Sequence, residues 1–454
     1  MVTLSQGLPT GYDPDEYPTI RAAVRQLCLA QGWGHEGAPL ANLVNGGARV
    51  LLKPNWVLHA NQGEWGLDPL ISHRFLIQAV VEAALDSGAG RVVVADAPVQ
   101  GCDFATLMHA SGVGAWAAEL QQREPRFAGV IDLRRTIRQG AGSSERTVEG
   151  VRDTAQFTLF DLGADSMLEP ITTSAAAFRV TQYHPAYLAR THAPGRHQFL
   201  VSREVLEADL VINMPKLKTH KKAGITCALK NLVGINGNKE YLPHHRIGGS
   251  GSGGDCYPGS DPVKRALEGV FDRFNASRRE VPRRAWRFAA RVLQAIQHRR
   301  GDRIGVEGSW SGNDTVWRMC LDLNRILSFG SADGTMMDQP QRRVIHIVDA
   351  VIAGQGDGPL RPEPLPMGMI LAGDSAAAVD WAGSLILGYE PDAIPIVAHA
   401  FDRFRWPITD FRAADIAVAD AGTGLPLSRA ELESMTPAPI NHPEGWLSAV
   451  RLPA

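Results

Sequence analysis

Ala48–Pro98 reads ARVLLKPNWVLHANQGEWGLDPLISHRFLIQAVVEAALDSGAGRVVVADAP, and the order of its patterns decides the fold. ARVLLKPNW is a β-branched and leucine run that ends in Lys-Pro-Asn, and residues 71–87 carry apolar side chains at helical spacing. Gly88-Ala89-Gly90 stops that helix, and RVVVADAP supplies a second, continuously apolar strand. A strand, a helix and a strand in this order pair in parallel through a right-handed crossover. Lys53, Asn55 and Asp96 stand just past the strand ends, where open parallel sheets hold ligands. Each also has a plainer role, as a turn for Pro54-Asn55 or a cap for Asp96.

A second unit opens at Ser202, where SREVLEADLVINMPKLKTH gives a short helix and a buried strand. The strand runs directly into Pro215–Gly234, PKLKTHKKAGITCALKNLVG, a basic stretch with an apolar frame. In an extended segment alternate side chains share a face, which places Lys216, Lys218 and His220 together, with Thr219 between them. Cations gathered this way call for a phosphate or carboxylate, and a helix starting near Ile225 or Thr226 adds unpaired N–H groups. Lys230 and Asn231 lie in the apolar run ITCALKNLVGI, where a lysine with a lowered pKa suits a base or nucleophile. Snorkelling to solvent is the plainer reading of Lys230. Lys239 extends the basic cluster as a ligand-binding candidate, and His244 and His245 join His220 and Lys230 as catalytic candidates.

The rest of the chain frames this centre. Residues 120–200 are weakly patterned; TAQFTLFDLG and TSAAAFRVTQY read as short strands, and His184, His192 and His197 are expected on the surface or in loops. Residues 248–260 have the composition of a mobile loop, either a lid over the ligand or a disordered insertion. Residues 278–303 form an arginine-rich amphipathic helix, expected to pack its apolar stripe on the domain, with contact to a partner or an anionic membrane as the alternative. Asp349, Asp357, Asp374 and Asp380 fall near element ends; Asp357 and Asp374 are taken as ligand-binding, in loops that close the site.

The expected fold is α/β, with two parallel or mixed sheets flanked by helices and an active cleft between the domains. The divisions are 1–200 for an N-terminal α/β domain, 201–400 for a second α/β domain, and 401–454 for an extension packing back on the core. A net charge of −2 over 454 residues excludes the global basic field of non-specific nucleic-acid binders. The five cysteines are scattered without CxxC spacing, so no iron–sulfur cluster, zinc knuckle or disulfide framework is expected. There is neither a signal-peptide pattern nor a transmembrane run of about eighteen apolar residues, so a cytoplasmic location is expected.

Four pieces occur in order: Lys53-Pro54-Asn55; the Gly-Ala-linked helix and strand; ADLVINMPKLKTH with ALKNLVGI; and GDGP at 356–359 followed by GDSAAAVD at 373–380. In these pieces the chain resembles the domain-of-unknown-function 362 family. That family has little assigned chemistry, and several relatives carry a fused iron–sulfur module whose cysteines this chain lacks. More distantly, His220, Ala223-Gly224, Lys230 and His244 or His245 resemble in spacing the motif of the nickel-pincer lactate racemases. In that family the lysine holds the pincer cofactor, and the histidines bind nickel or exchange the substrate proton. Ala228-Leu229 or Cys227-Ala228 replaces its glycine pair here, and the upstream strand ends in Asp96-Ala97-Pro98 instead of a histidine.

These readings converge on an enzyme that binds an anionic small molecule, carboxylate- or phosphate-bearing, in a Lys/His cleft. A divalent metal or a lysine-linked cofactor is compatible with it, and the reaction class is not readable. Two alternatives stand: a racemase- or epimerase-like isomerase with a metal-containing cofactor on Lys230, and a non-catalytic polyanion-binding or assembly protein.

Overall fold

The computed structural model describes residues 1–140, 146–150, 152–181, 183–436 and 439–451. Among them eleven strands form one mixed sheet: β1 (Val2–Ser5), β2 (Arg49–Pro54), β3 (Arg91–Asp96), β4 (Phe127–Asp132), β5 (Leu210–Met214), β6 (Lys216–His220), β7 (Gly224–Thr226), β8 (Arg343–Asp357), β9 (Arg361–Gly373), β10 (Val418–Asp420) and β11 (Pro426–Leu427). Their spatial order is β11-β10-β1-β9-β8-β5-β2-β3-β4. β6 lies parallel to β8, and β7 turns back antiparallel beside β6. From β4 to β8 the five strands run parallel, whereas β9 is antiparallel to both β8 and β1.

The helices that matter below are α1 (Tyr17–Ala30), α2 (Arg74–Asp86), α3 (Val113–Arg123), α4 (Ala228–Asn231), α5 (Pro262–Ala276), α6 (Glu280–Arg299), α7 (Val316–Phe329) and α8 (Ala376–Ile386). The α/β class, a mixed sheet flanked by helices, is the one the sequence predicts. The strands of both units, however, enter one large sheet instead of two. β2 and β5 are hydrogen-bonded neighbours, with Leu52 opposite Ile212. Their side chains explain this: Val50 and Leu52 pack into the core on one face and Leu51 into the core on the other, and Leu210, Ile212 and Val211 do the same. Strands apolar on both faces belong in the middle of a sheet, since an edge would leave their backbone groups unpaired. α1, α2 and α3 cover one face and α7 and α8 the other. The β2-α2-β3 unit is as read, with α2 ended by Gly88 at a φ of 85° that other residues rarely adopt.

Two local expectations are corrected. His192 and His197 are fully buried in a small three-stranded sheet, with their Nδ1 atoms 3.2 Å apart, because Phe178 and Phe199 close over the rings. The glycine-rich loop at 248–260 is folded on itself through Ser250 N–H to Tyr257 O and Cys256 N–H to Gly248 O. It buries Cys256 and Tyr257 beneath α5 and α6 and lines no part of the cavity beyond β2 and β3.

Candidate functional site

Beyond the carboxyl ends of β2 and β3 lies a cavity of about 750 Å³. Its walls include Lys53, Asn55, Asp96, His220, Lys230, Asn231, Lys239 and His244, so the fold brings eight of the sequence-predicted residues together. Lys222, Thr226 and Asn236 of the same stretch complete it, together with Arg138 and Glu307 from distant segments.

The floor is built around Gly234 and a short polar ladder. Lys53 Nζ donates to Asp96 Oδ1 at 2.7 Å, and the Trp56 N–H donates to Asp96 Oδ2 at 2.8 Å. Burial works against the charge on both groups, lowering the lysine and raising the carboxyl, while each partner opposes the other's shift. Beside this pair, Lys218 Nζ donates to Asn55 Oδ1, Asn55 Nδ2 to Asn231 Oδ1, and Asn231 Nδ2 to Asn213 Oδ1, each at 2.8 Å. Asn213 Nδ2 ends the ladder on Ala228 O at 2.9 Å. This chain of donors and acceptors fixes every amide and ties β5 and β2 to α4.

α4 carries Lys230 and is anchored at its start. The Asp380 carboxylate accepts the N–H groups of Ala228 at 2.6 Å and Leu229 at 3.2 Å. Burial pushes that carboxyl up to about 7, against the pull of these hydrogen bonds. The helix N–H groups predicted to hold an anion are therefore already occupied. Two residues on, Lys230 is half-buried at the cavity wall, and its ammonium makes no hydrogen bond or ion pair among the described residues.

The anion-binding face predicted for β6 does not form. Lys216 is buried and paired with Asp349 at 2.7 Å. Lys218 is buried, bonded to Asn55 Oδ1 and Leu70 O; burial first, then Lys216 and Lys230, lowers its ammonium well below the ordinary value. Thr219 Oγ1 donates to Gly356 O at 2.7 Å. The reason is that β6 pairs with the long strand β8, with a register irregularity between Lys216 and Lys218, so only His220 at its end reaches the cavity. Asp357 is exposed at a neighbouring groove, Asp374 accepts from Trp33 Nε1 at 2.8 Å, and His245 lies on a separate small cleft.

The cavity's charge is lopsided. Lys53, Arg138, Lys221, Lys222, Lys230 and Lys239 face only Asp96 and Glu307. Asp96 is taken by Lys53, and Glu307 lies 3.8 Å from both Lys221 and Lys222. Lys230 and Lys239 have no acidic partner within 4.0 Å among the described residues. Burial, reinforced by Lys230 and Lys222, lowers Lys239 to about 7. His220 Nδ1 accepts the N–H groups of Lys222 at 3.0 Å and Ala223 at 3.2 Å, so the neutral ring carries its proton on Nε2. His244 Nδ1 lies 2.7 Å from Leu242 O, which only accepts, so this ring carries its proton on Nδ1 and leaves Nε2 as a lone pair. Burial, then the surrounding lysines, holds both rings neutral at pKa values well below the ordinary range.

A pH dependence follows from these shifts. In the unfolded chain each histidine takes up a proton near pH 6.5, while the native rings stay neutral, so stability is lost as pH falls below about 6.5. Each ring contributes roughly 1.4 kcal/mol of that loss at pH 5.5. Guanidinium melts of the wild type and His244→Asn at pH 7.5 and 5.5 check this: the variant should lose less on acidification, and an identical loss contradicts the assignment of a neutral His244.

The basic motif and the cavity wall it forms fall in a region that known proteins share. The family described as domain of unknown function (DUF362) matches residues 135–384. A thylakoid-associated protein of Synechocystis sp. is 23% identical over 203 residues, which are 44% of this chain and 38% of that protein, so the chain spans less than two-fifths of that relative. Solved structures match as well, two of them at a TM-score of 0.34 each. One is a Thermotoga maritima protein, at 11% identity and covering 80% of this chain and 56% of the other. The second is the lactate racemase apoprotein of Thermoanaerobacterium thermosaccharolyticum, at 10% identity and covering 85% and 57%. The match from residue 135 to residue 384 takes in β5, β6, α4 and the Asp380 cap and exceeds half of the chain, which therefore belongs to the DUF362 family.

Proposed function

We propose that this chain is an enzyme that binds a carboxylate- or phosphate-bearing small molecule in the cavity, with Lys230 as its reacting amine or covalent anchor. One observation carries the reading: Lys230 and Lys239 both line the cavity without an acidic partner among the described residues, and the neutral rings of His220 and His244 line it with them. Like charges gathered in a partly desolvated space repel one another, and an anion between them removes that cost. The cavity volume suits a small molecule better than a polymer.

The same arrangement couples binding to proton uptake. The lysines are what hold Lys239, His220 and His244 below their ordinary pKa values once burial is accounted for. A bound anion offsets those charges and raises all three, which restores the basicity of the His244 Nε2 lone pair when substrate is present. His220 Nε2–H then supplies a hydrogen-bond donor and His244 Nε2 an acceptor to one ligand. Lys230, free of other bonds, fits a lysine-linked group. Among the described residues no three His, Cys, Asp or Glu side chains converge to hold a metal ion on their own.

The test uses pyrophosphate and oxalate as probes. Both should raise the melting temperature of the wild-type protein, and binding at pH 7 should take up protons, read by calorimetry in buffers of different ionisation enthalpy. Lys230→Ala should weaken the tighter probe at least about tenfold, roughly 1.4 kcal/mol. The unliganded variant should also melt higher than wild type, because one of the crowded charges is gone. Unchanged affinity in Lys230→Ala removes the cavity lysine from the reading.

A further inference from the structure

α5 and α6 form a helical hairpin with a small core of its own, separate from the two cores of the sheet. Ala290 is buried there, and Trp286, Ala289 and Leu293 pack against it, which accounts for one face of α6. The face beside it, turned to solvent, is also apolar. Val281, Phe288, Val292 and Ile296 are 79%, 69%, 43% and 39% exposed. Their intervals of seven, four and four residues line them up in one stripe along the helix. Arg284, Arg287 and Arg291 run along one flank of the stripe, and Arg299 stands at its end. Arg284 is tied to Glu280 at 2.6 Å. The guanidinium groups of Arg287, Arg291 and Arg299 make no ion pair or hydrogen bond among the described residues, and no acid follows Glu280 in the helix.

We propose that this outer face of α6 docks flat on an anionic lipid bilayer. The apolar stripe alone would suit any greasy groove, and the arginines choose between occupants. They form a row beside the stripe along its length, which calls for anions spread along a line at the boundary between polar and apolar surroundings. Lipid phosphates above their acyl chains present that arrangement, and arginine binds phosphate with two parallel hydrogen bonds. Contact is interfacial, since no described helix is long and apolar enough to cross a membrane. None of the four stripe residues lines the candidate cavity, so docking leaves the cavity open.

Flotation of the full chain with vesicles tests this. Vesicles of phosphatidylcholine with about a third phosphatidylglycerol should bind it at least about tenfold more tightly than phosphatidylcholine alone, and salt should weaken the binding. Phe288→Asp with Val292→Asp should reduce binding to the phosphatidylcholine level. Arg287→Gln with Arg291→Gln should weaken it severalfold and flatten the salt dependence. Phe288→Trp gives an independent reading, because the emission it adds to that of the wild type should shift to the blue only with the anionic vesicles, and it decides the matter if the aspartate variant fails to fold. The proposal is overturned by absence of flotation with anionic vesicles, by equal binding of wild type and the folded aspartate variant, or by an unshifted emission from the Phe288→Trp variant. A wild-type dimer that the aspartate pair converts to monomer, without vesicle binding, assigns the face to a second copy of the chain and equally overturns it.

Discussion

Replacing Gly234 with alanine is expected to lower the free energy of unfolding by roughly 3–5 kcal/mol, the range for a broken buried ion pair. A methyl at this position would overlap Asp96 Oδ1 and come within 2.7 Å of Lys53 Nζ. Both groups are held in place by further bonds. Asp96 also accepts the Trp56 N–H, Lys53 Nζ also donates to Pro54 O at 3.0 Å, and the Gly234 carbonyl is held by the Ala97 N–H at 2.9 Å. Parting the pair leaves two buried charges without compensation, which costs far more than the pair contributes when intact. Gly46 is the control, since nothing lies within 4 Å of a methyl built there and its backbone is ordinary. Chemical denaturation of Gly234→Ala and Gly46→Ala against wild type decides it. A loss below about 1 kcal/mol in Gly234→Ala shows that Lys53 and Asp96 separate cheaply, and the rigid floor described here is then wrong.

How much of this was legible in the sequence depended on the range of the forces involved. β2, α2 and β3 were readable because a buried parallel strand is continuously apolar and a helix repeats at its own period, both local properties. The location of the centre was readable for a related reason: Lys53, Asn55 and Asp96 sit at strand ends, and the connectivity of a parallel sheet brings such ends to one side. The roles of Lys216 and Lys218 were not. Alternation places them on one face, but both faces of that strand are covered, so each ammonium needs a partner inside the protein. Lys216 finds Asp349 and Lys218 finds Asn55 and Leu70, all far away along the chain. Arg138 and Glu307 were missed for the complementary reason, since they reach the cavity from segments without a pattern of their own. His220, Lys230 and His244 carried a signal in their spacing, whereas the opposite tautomers of the two rings depend on the backbone atoms each one meets.

Asp380→Ala is expected to cost roughly 2–5 kcal/mol, because it strips two buried amide N–H groups of their acceptor at the start of α4. Asp380→Asn keeps one acceptor oxygen and should cost less, and its value lies in the pH profile. In the native protein the carboxyl titrates near 7, against about 3.8 in the unfolded chain. Between those values the folded form holds a proton that the unfolded form has released, so this group's contribution falls as pH rises from about 4 to about 7. The full change is at most about 4 kcal/mol, and the neutral histidines of the cavity partly mask it, since their contribution rises with pH up to about 6.5. Subtracting the profile of Asp380→Asn from that of wild type isolates the aspartate: the difference should fall across this window and flatten above it. Parallel profiles would mean that the two N–H bonds keep Asp380 charged throughout. α4 would then carry a fixed negative charge beneath Lys230, and the cavity would need less from a bound anion than its lining suggests.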